Sequence, residues 1–358
     1  MERLKTTSEF WKGKKVFVTG HTGFKGVWLC LWLNMLGAKV KGYSLAPENH
    51  SPFFYESNLD KIIESEFGDI RDYITLEKSL KAFQPQIIFH LAAQALVIES
   101  YLDPIKTFST NVQGTVNLLE ISKGLKNLKS ILVITTDKCY ENDESKNSFK
   151  ESDKLGGSDP YSCSKSCAEL IVNSYRDSFF NKKNILISTA RAGNVIGGGD
   201  YSKNRLIPDI LKALQLNSEI IIRNPKSVRP WQHVLNPLEG YMILVENLFN
   251  GKSEFQGSWN FGPNIEDCKD VKWIVDSFNS RLKAPLKISM KNNSENFKEA
   301  NFLFLDCSKA KESLNWEPIW NLENAVESII RWKENLLNKG NIQDFCINEI
   351  KKYINYGK

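Results

Sequence analysis

The sequence has no apolar run long enough to cross a bilayer. Its most apolar stretch, VWLCLWLNML at residues 27–36, is broken by Asn34. A membrane helix needs roughly 20 such residues. The opening MERLKTTSEFWKGKK lacks the apolar core of a secretion signal. No block of one charge stands out: 47 Lys and Arg face 42 Asp and Glu, a net +5 over 358 residues. Such a balance leaves no basic footprint for nucleic acid, though a small basic pocket for an anionic ligand is compatible with it. The seven cysteines are odd in number and scattered, and none form a CxxC pair. That excludes a disulfide framework and a zinc ribbon, and predicts no metal site and a cytoplasmic location. Internal repeats and low-complexity tracts are also missing.

What is present is alternation. Strand-like segments at 14–20, 38–45, 65–70, 85–93, 131–136 and 184–192 are interleaved with helix-like segments at 23–37, 73–83, 104–124 and 158–180. The run PQIIFHLAA is apolar without a period of two, as expected for a strand covered on both faces. This pattern predicts an α/β fold: a Rossmann-like doubly wound parallel sheet with a smaller mixed α/β lobe. The expected division is a dinucleotide domain over 1–192 with a returning piece near 232–262. Residues 193–231 and 263–358, with helices near 270–282 and 321–338, form the expected substrate lobe. Ligands of such sheets bind at the carboxyl ends of the strands.

The segment VFVTGHTGFKG puts Gly20, Gly23 and Gly26 between the first strand and the first helix. Glycines there permit a tight turn and let backbone N–H groups meet a pyrophosphate. Alone, the trio marks only a strand–helix turn; its place after the first strand favours dinucleotide binding. The second strand ends in Ser44, and no carboxylate precedes Glu48. The usual acidic partner of an adenosine ribose is therefore missing, and no arginine replaces it for a 2′-phosphate. Asp69 and Ile70 end the third strand, where they either hold an adenine edge or, for Asp69, cap a helix.

Two further motifs stand in order. ILVITTDKCY delivers Thr136, Asp137 and Lys138 at the end of an apolar strand, and YSCSK places Tyr161 and Lys165 one helical turn apart. Taken singly, the first is a solvated pair at a loop entry and the second an exposed helix face. Their order after the glycine loop favours catalysis. His90, His233 and Trp231 read as packing residues, and Cys139 and Cys163 as reduced fillers.

The chain resembles the extended short-chain dehydrogenases/reductases. TGHTGFKG, DIRD, HLAAQ, NVQGTVNLLE, TTDKCY and YSCSK carry the likeness from 19 to 165. ARAGNVIGGGD, RLIPD, RPWQHV and WNFGP extend it over the second lobe. Lys25, DKCY and RPWQHVLNPLEGY make it most similar to the nucleotide-sugar 4,6-dehydratases whose acid–base pair is Asp-Lys rather than Asp-Glu. Departures from that pattern are Thr135, Ala95, Ile98 and Tyr201.

The resemblance implies tightly bound NAD as cofactor and CDP-glucose as substrate, in deoxysugar and O-antigen synthesis, by a homodimer packed through helices including 158–180. It implies Thr136, Asp137, Lys138, Tyr161 and Lys165 as catalytic residues. Cofactor contacts are implied for Gly20, Thr22, Gly23, Phe24, Lys25, Gly26, Asp69, Ile70, Leu91, Ala92, Ala93 and Asn111, together with Tyr161 and Lys165. Gln94, Asn194, Arg205 and Arg229 are implied on the substrate side; taken alone, Arg205 reads as a surface ion pair.

A 4,6-dehydration asks Tyr161 to take the carbon-4 hydroxyl proton as a phenolate, which a neighbouring ammonium and a cationic nicotinamide favour. It asks a neutral Lys138 to remove the carbon-5 hydrogen and a protonated Asp137 to release the carbon-6 hydroxyl. Both states are the reverse of those in water at pH 7. Desolvation favours them and a mutual ion pair opposes them, so the two heads are expected to diverge. Dehydratases of dTDP- or GDP-hexoses, a nucleotide-sugar 4-epimerase and a non-catalytic dinucleotide sensor remain alternatives at this point.

Overall fold

Seven parallel strands run through the centre of the molecule, and their order explains where a ligand can sit. The computed structural model describes residues 8–47, 52–142, 148–222, 224–282, 286–290 and 302–356. After a short helix at Ser8–Trp11, the chain's main elements are β1 (Lys15–Thr19), α1 (Phe24–Met35), β2 (Lys39–Ser44), β3 (Glu64–Phe67), α2 (Tyr73–Phe83) and β4 (Ile87–His90). It continues through α3 (Gly114–Ser122), β5 (Ser130–Ile134), α4 (Pro160–Tyr175) and β6 (Leu186–Ala192). Then come β7 (Asn194–Ile196), β8 (Val228–His233), α5 (Leu235–Phe249), β9 (Gly257–Phe261) and β10 (Cys268–Asp270).

The large sheet has the order β9-β6-β5-β4-β1-β2-β3. Every strand pair in it is parallel. The direction of winding reverses between β1 and β4, which opens a crevice at their carboxyl ends. Register makes that edge level. Thr19 pairs with His90, His90 with Val133, and Val133 with Thr189. All residues of β4, β5 and β6 are buried, so their unbroken apolar runs follow from helices on both faces.

The later chain is more helical than its sequence pattern suggests. Helices near 270–282 and 321–338 are present as Val271–Asn279 and Leu322–Leu337, but Leu206–Leu216, α5, Ser308–Leu314 and Ile342–Asn355 add to them. In α5 thirteen of fifteen residues are buried. A helix wrapped on all sides has no polar stripe, so periodicity does not reveal it. β9 brings the chain back to the large sheet beside β6. The expected helix over 104–124 is α-helical at Pro104–Phe108, widens to a π-turn at Ser109–Gln113 and resumes as α3. A small sheet, β10-β8-β7, stands beside the carboxyl edge. Among the described residues no helix is long and apolar enough to cross a membrane, and no cluster suited to a metal ion occurs.

Candidate active site

The glycine turn after β1 is built for close approach. Gly20 has φ +76, and a Cβ there would lie 2.7 Å from the Ala92 nitrogen. Gly23 caps α1 with no side-chain hydrogen bond, leaving the helix's first N–H groups available for an anion. Thr19 Oγ1 receives the Leu91 and Ala92 N–H groups at 3.1 Å each, which fixes the stretch through Ala93 beside the glycines. These residues fit a dinucleotide pyrophosphate. Phe24 packs against Gly197, which follows β7.

At the end of β2, Ser44 Oγ lies 2.9 Å from both His21 Nδ1 and Thr22 Oγ1. Three neutral groups thus stand where an acidic residue is usual; burial brings the His21 imidazolium down to about 4. Glu48 lies outside the described residues. Asp69 does not cap a helix. Its carboxylate is held by Arg71, with bonds of 2.6–3.0 Å, and Asp72 is the cap that receives the Thr75 N–H. Ile70 is buried against Gly114.

Thr136 is extended and accepts the Lys138 N–H, capping a single 3₁₀ turn at Asp137–Cys139. This turn ends the strand alternation that would send Asp137 and Lys138 to opposite faces. The Thr136 hydroxyl donates to Asp137 Oδ1 at 2.9 Å. Oδ2 is buried with no hydrogen-bond partner. Burial raises the Asp137 pKa, opposed by Lys138, the Thr136 hydroxyl, Lys25 and Arg229. Lys138 is half-buried and forms no ion pair with Asp137.

Tyr161 lies in the first turn of α4, which starts at Pro160 and is capped by Asp159 through the Ser162 N–H at 2.9 Å. The Thr136 hydroxyl and Arg205 favour its phenolate. Burial nevertheless pushes Tyr161 up to about 12, outweighing Thr136 and Arg205. Lys165, one turn on, donates to the Ile134 carbonyl at 3.0 Å, and burial brings it down to about 8. Burial thus drives the phenol and the amine apart in proton affinity, each toward its neutral form. Lys25 belongs to the same chamber: burial, then Arg205 and Lys165, bring it down to about 7.

About two turns of α4 beyond Tyr161 lies a residue that motif reading missed. Glu169 is fully buried and accepts Arg191 Nε at 3.0 Å, Arg191 Nη2 at 2.9 Å, Thr135 Oγ1 at 2.5 Å and Thr189 Oγ1 at 2.6 Å. Arg191 Nη1 donates to the Tyr140 hydroxyl at 2.7 Å, which donates to Asn260 Oδ1 at 2.8 Å. The network brackets the Thr136–Asp137–Lys138 turn between Thr135 and Tyr140. Its spacing signal was available, since Glu169 follows Lys165 by four residues.

The remaining candidates divide. Asn111, in the π-turn, is spent on the protein: it clamps the Gln94 backbone at 2.8 and 2.9 Å and donates to Ser164. Gln94 likewise bonds Leu96 and Thr107 with its own amide. Arg205 pairs loosely with Asp200 at 3.4 Å. Asn194 and Arg229 lie on neighbouring strands β7 and β8, Asn194 facing Trp231 in register. Arg229 is buried and donates to the Val228 carbonyl at 3.0 Å. His90 has both ring nitrogens within hydrogen-bond distance of Thr19 and Thr115.

Comparison with known proteins places this geometry. The family model described as GDP-mannose 4,6 dehydratase matches residues 17–329. A CDP-glucose 4,6-dehydratase of Salmonella typhimurium is 49% identical over 90% of this chain and 91% of its own length. A UDP-glucose 4-epimerase of Rhizobium meliloti is 25% identical over 90% of this chain and 97% of its own. Among solved structures, a dTDP-glucose 4,6-dehydratase from Bacillus anthracis in complex with NAD superposes with a TM-score of 0.75. It has 21% identity and covers 92% of this chain and 99% of its own.

Proposed function

The chain belongs to the GDP-mannose 4,6-dehydratase family, within the extended short-chain dehydrogenases/reductases, and from that premise we propose that it converts CDP-glucose to CDP-4-keto-6-deoxyglucose with bound NAD. The observation that carries the reading is the buried Asp137, its pKa raised and one oxygen unpartnered, beside Thr136 and Tyr161. An epimerase needs the tyrosine but not that acid.

The turn from Gly20 to Gly26, with Thr22, Phe24 and Lys25, is assigned to the cofactor pyrophosphate at the start of α1. Asp69 and Ile70 lie toward the adenine, and Leu91–Ala93 line the path to the nicotinamide. Asn111 supports that path through the Gln94 backbone. When bound, NAD supplies the acceptor and later the donor of one hydride and ends each cycle as it began.

Tyr161, one turn from Lys165 and helped by the Thr136 hydroxyl, takes the carbon-4 hydroxyl proton. The ketone so formed acidifies carbon 5. Lys138 removes the carbon-5 hydrogen while Asp137 protonates the departing carbon-6 oxygen, and Lys138 returns a proton to carbon 5. Burial favours the neutral form of Asp137, as the role requires. Arg205, Arg229 and Asn194 are assigned to the diphosphate side, and Gln94 to the sugar side.

The protein is read as a cytoplasmic homodimer serving deoxysugar synthesis. Support for the dimer comes from α4 and the helices Val97–Leu102 and Pro104–Phe108 packed beside it. Together they expose Leu170, Leu102 and Ile105 at 58, 69 and 82%. The deciding experiment is incubation with CDP-, dTDP- and GDP-glucose in the presence of NAD. A 4-keto-6-deoxy product from CDP-glucose is expected, and its absence with all three overturns the reading.

A further inference from the structure

The unpartnered oxygen of Asp137 lies beside a residue with no side chain of its own. Gly193 joins β6 to β7, and a Cβ on it would lie 2.7 Å from Pro230 Cγ and 3.2 Å from Asp137 Oδ2. Gly193 is not among the positive-φ glycines, so the backbone itself would accept another residue there. Space is what glycine provides. Pro230, in the middle strand of the small sheet, adds a ring carbon and lacks an N–H that could bond the carboxyl. Asp137 itself is only 2% exposed.

We propose that Gly193 and Pro230 are positioning residues for the acid step, forming a dry recess that holds Asp137 Oδ2 away from water and toward the sugar. The inference rests on the dehydratase reading. In the elimination the Asp137 proton passes to the carbon-6 oxygen as the carbon–oxygen bond breaks. The electron pair of the carbon-5–hydrogen bond, whose proton goes to Lys138, becomes the carbon-5–carbon-6 double bond. A carboxyl bonded on both oxygens by water would ionise more readily and would enter this step without its proton. The recess works against three basic groups that favour the carboxylate, Lys138 on the same turn, Lys25 on α1 and Arg229 on β8. Tyr161 on α4 and Tyr241 on α5 lie within electrostatic reach of Asp137.

The test compares the wild type with Gly193→Ala and Pro230→Ala, each with CDP-glucose and NAD in rapid-mixing experiments. Nicotinamide absorbance follows carbon-4 oxidation, and chemical quench follows the 4-keto-6-deoxy product. In Gly193→Ala oxidation is expected to stay within about twofold of wild type. Elimination should slow by about tenfold or more, so that reduced nicotinamide accumulates. The infrared carbonyl stretch of a protonated carboxyl, assigned by its loss in Asp137→Asn, should be present in the wild type. It should disappear in Gly193→Ala and weaken in Pro230→Ala, which admits water without adding bulk. If Gly193→Ala does not fold, Pro230→Ala decides alone. Wild-type partition with an unchanged stretch, or equal slowing of both stages, overturns the proposal. A wild type that forms no keto product with any of the three nucleotide sugars overturns the dehydratase reading instead.

Discussion

Glu169 and Arg191 face each other in full burial, the carboxylate accepting two guanidinium N–H groups at 3.0 and 2.9 Å. Each charge would be costly alone, and the pair remains tolerable because Thr135, Thr189 and Ser258 also donate to Glu169. Through Thr135 and Tyr140 the pair holds both sides of the Asp137–Cys139 turn.

Glu169→Ala leaves Arg191 buried and uncompensated. A loss of about 3–5 kcal/mol in folding stability is expected, read by chemical denaturation. Glu169→Gln, which keeps the shape but loses the charge, should fall between that variant and the wild type.

The two chemical stages should separate by mutation. Lys138→Ala should keep carbon-4 oxidation and slow elimination by about 100-fold or more. Tyr161→Phe should lose oxidation itself. Exchange of solvent deuterium into carbon 5 should be lost in Lys138→Ala; normal exchange there would remove Lys138 from the base role.

Glu246 gives a pH test remote from the chemistry. It accepts Trp11 Nε1–H at 2.6 Å, and burial raises its pKa to about 8. The folded protein therefore holds a proton between about pH 4.5 and 8 that the unfolded chain releases, so this group's contribution falls as pH rises through that window. Glu246→Gln keeps an acceptor for Trp11 and removes the titration. Its melting temperature should exceed that of the wild type near pH 8, and the difference should shrink toward pH 4.5; a constant difference would contradict the shift.

Leu170→Glu puts a charge on the exposed apolar face of α4. Sedimentation should show the wild type as a dimer and the variant shifted to monomer. Identical profiles would remove this face from the interface.

The residues themselves fixed a good deal. Unbroken apolar strands alternating with helices gave the parallel sheet, because a strand covered on both faces has no polar alternation to show. Gly20, Tyr161 and Lys165 were legible since their spacing is local, within one turn or one loop. Helix α5 was not, for it is buried on nearly every side and displays no stripe. Asp69 was misplaced as a possible cap because several acidic residues crowd one helix start, and only geometry shows that Asp72 receives the N–H. Gly193 and Glu169 gained meaning only when residues far apart in the chain met: Pro230 and Asp137 around the first, Thr135 and Arg191 around the second. Local sequence determines which groups are offered, since turn and helix geometry act over a few residues. Tertiary packing decides which of them lose water, and desolvation is what turns an ordinary aspartate into an acid that can keep its proton.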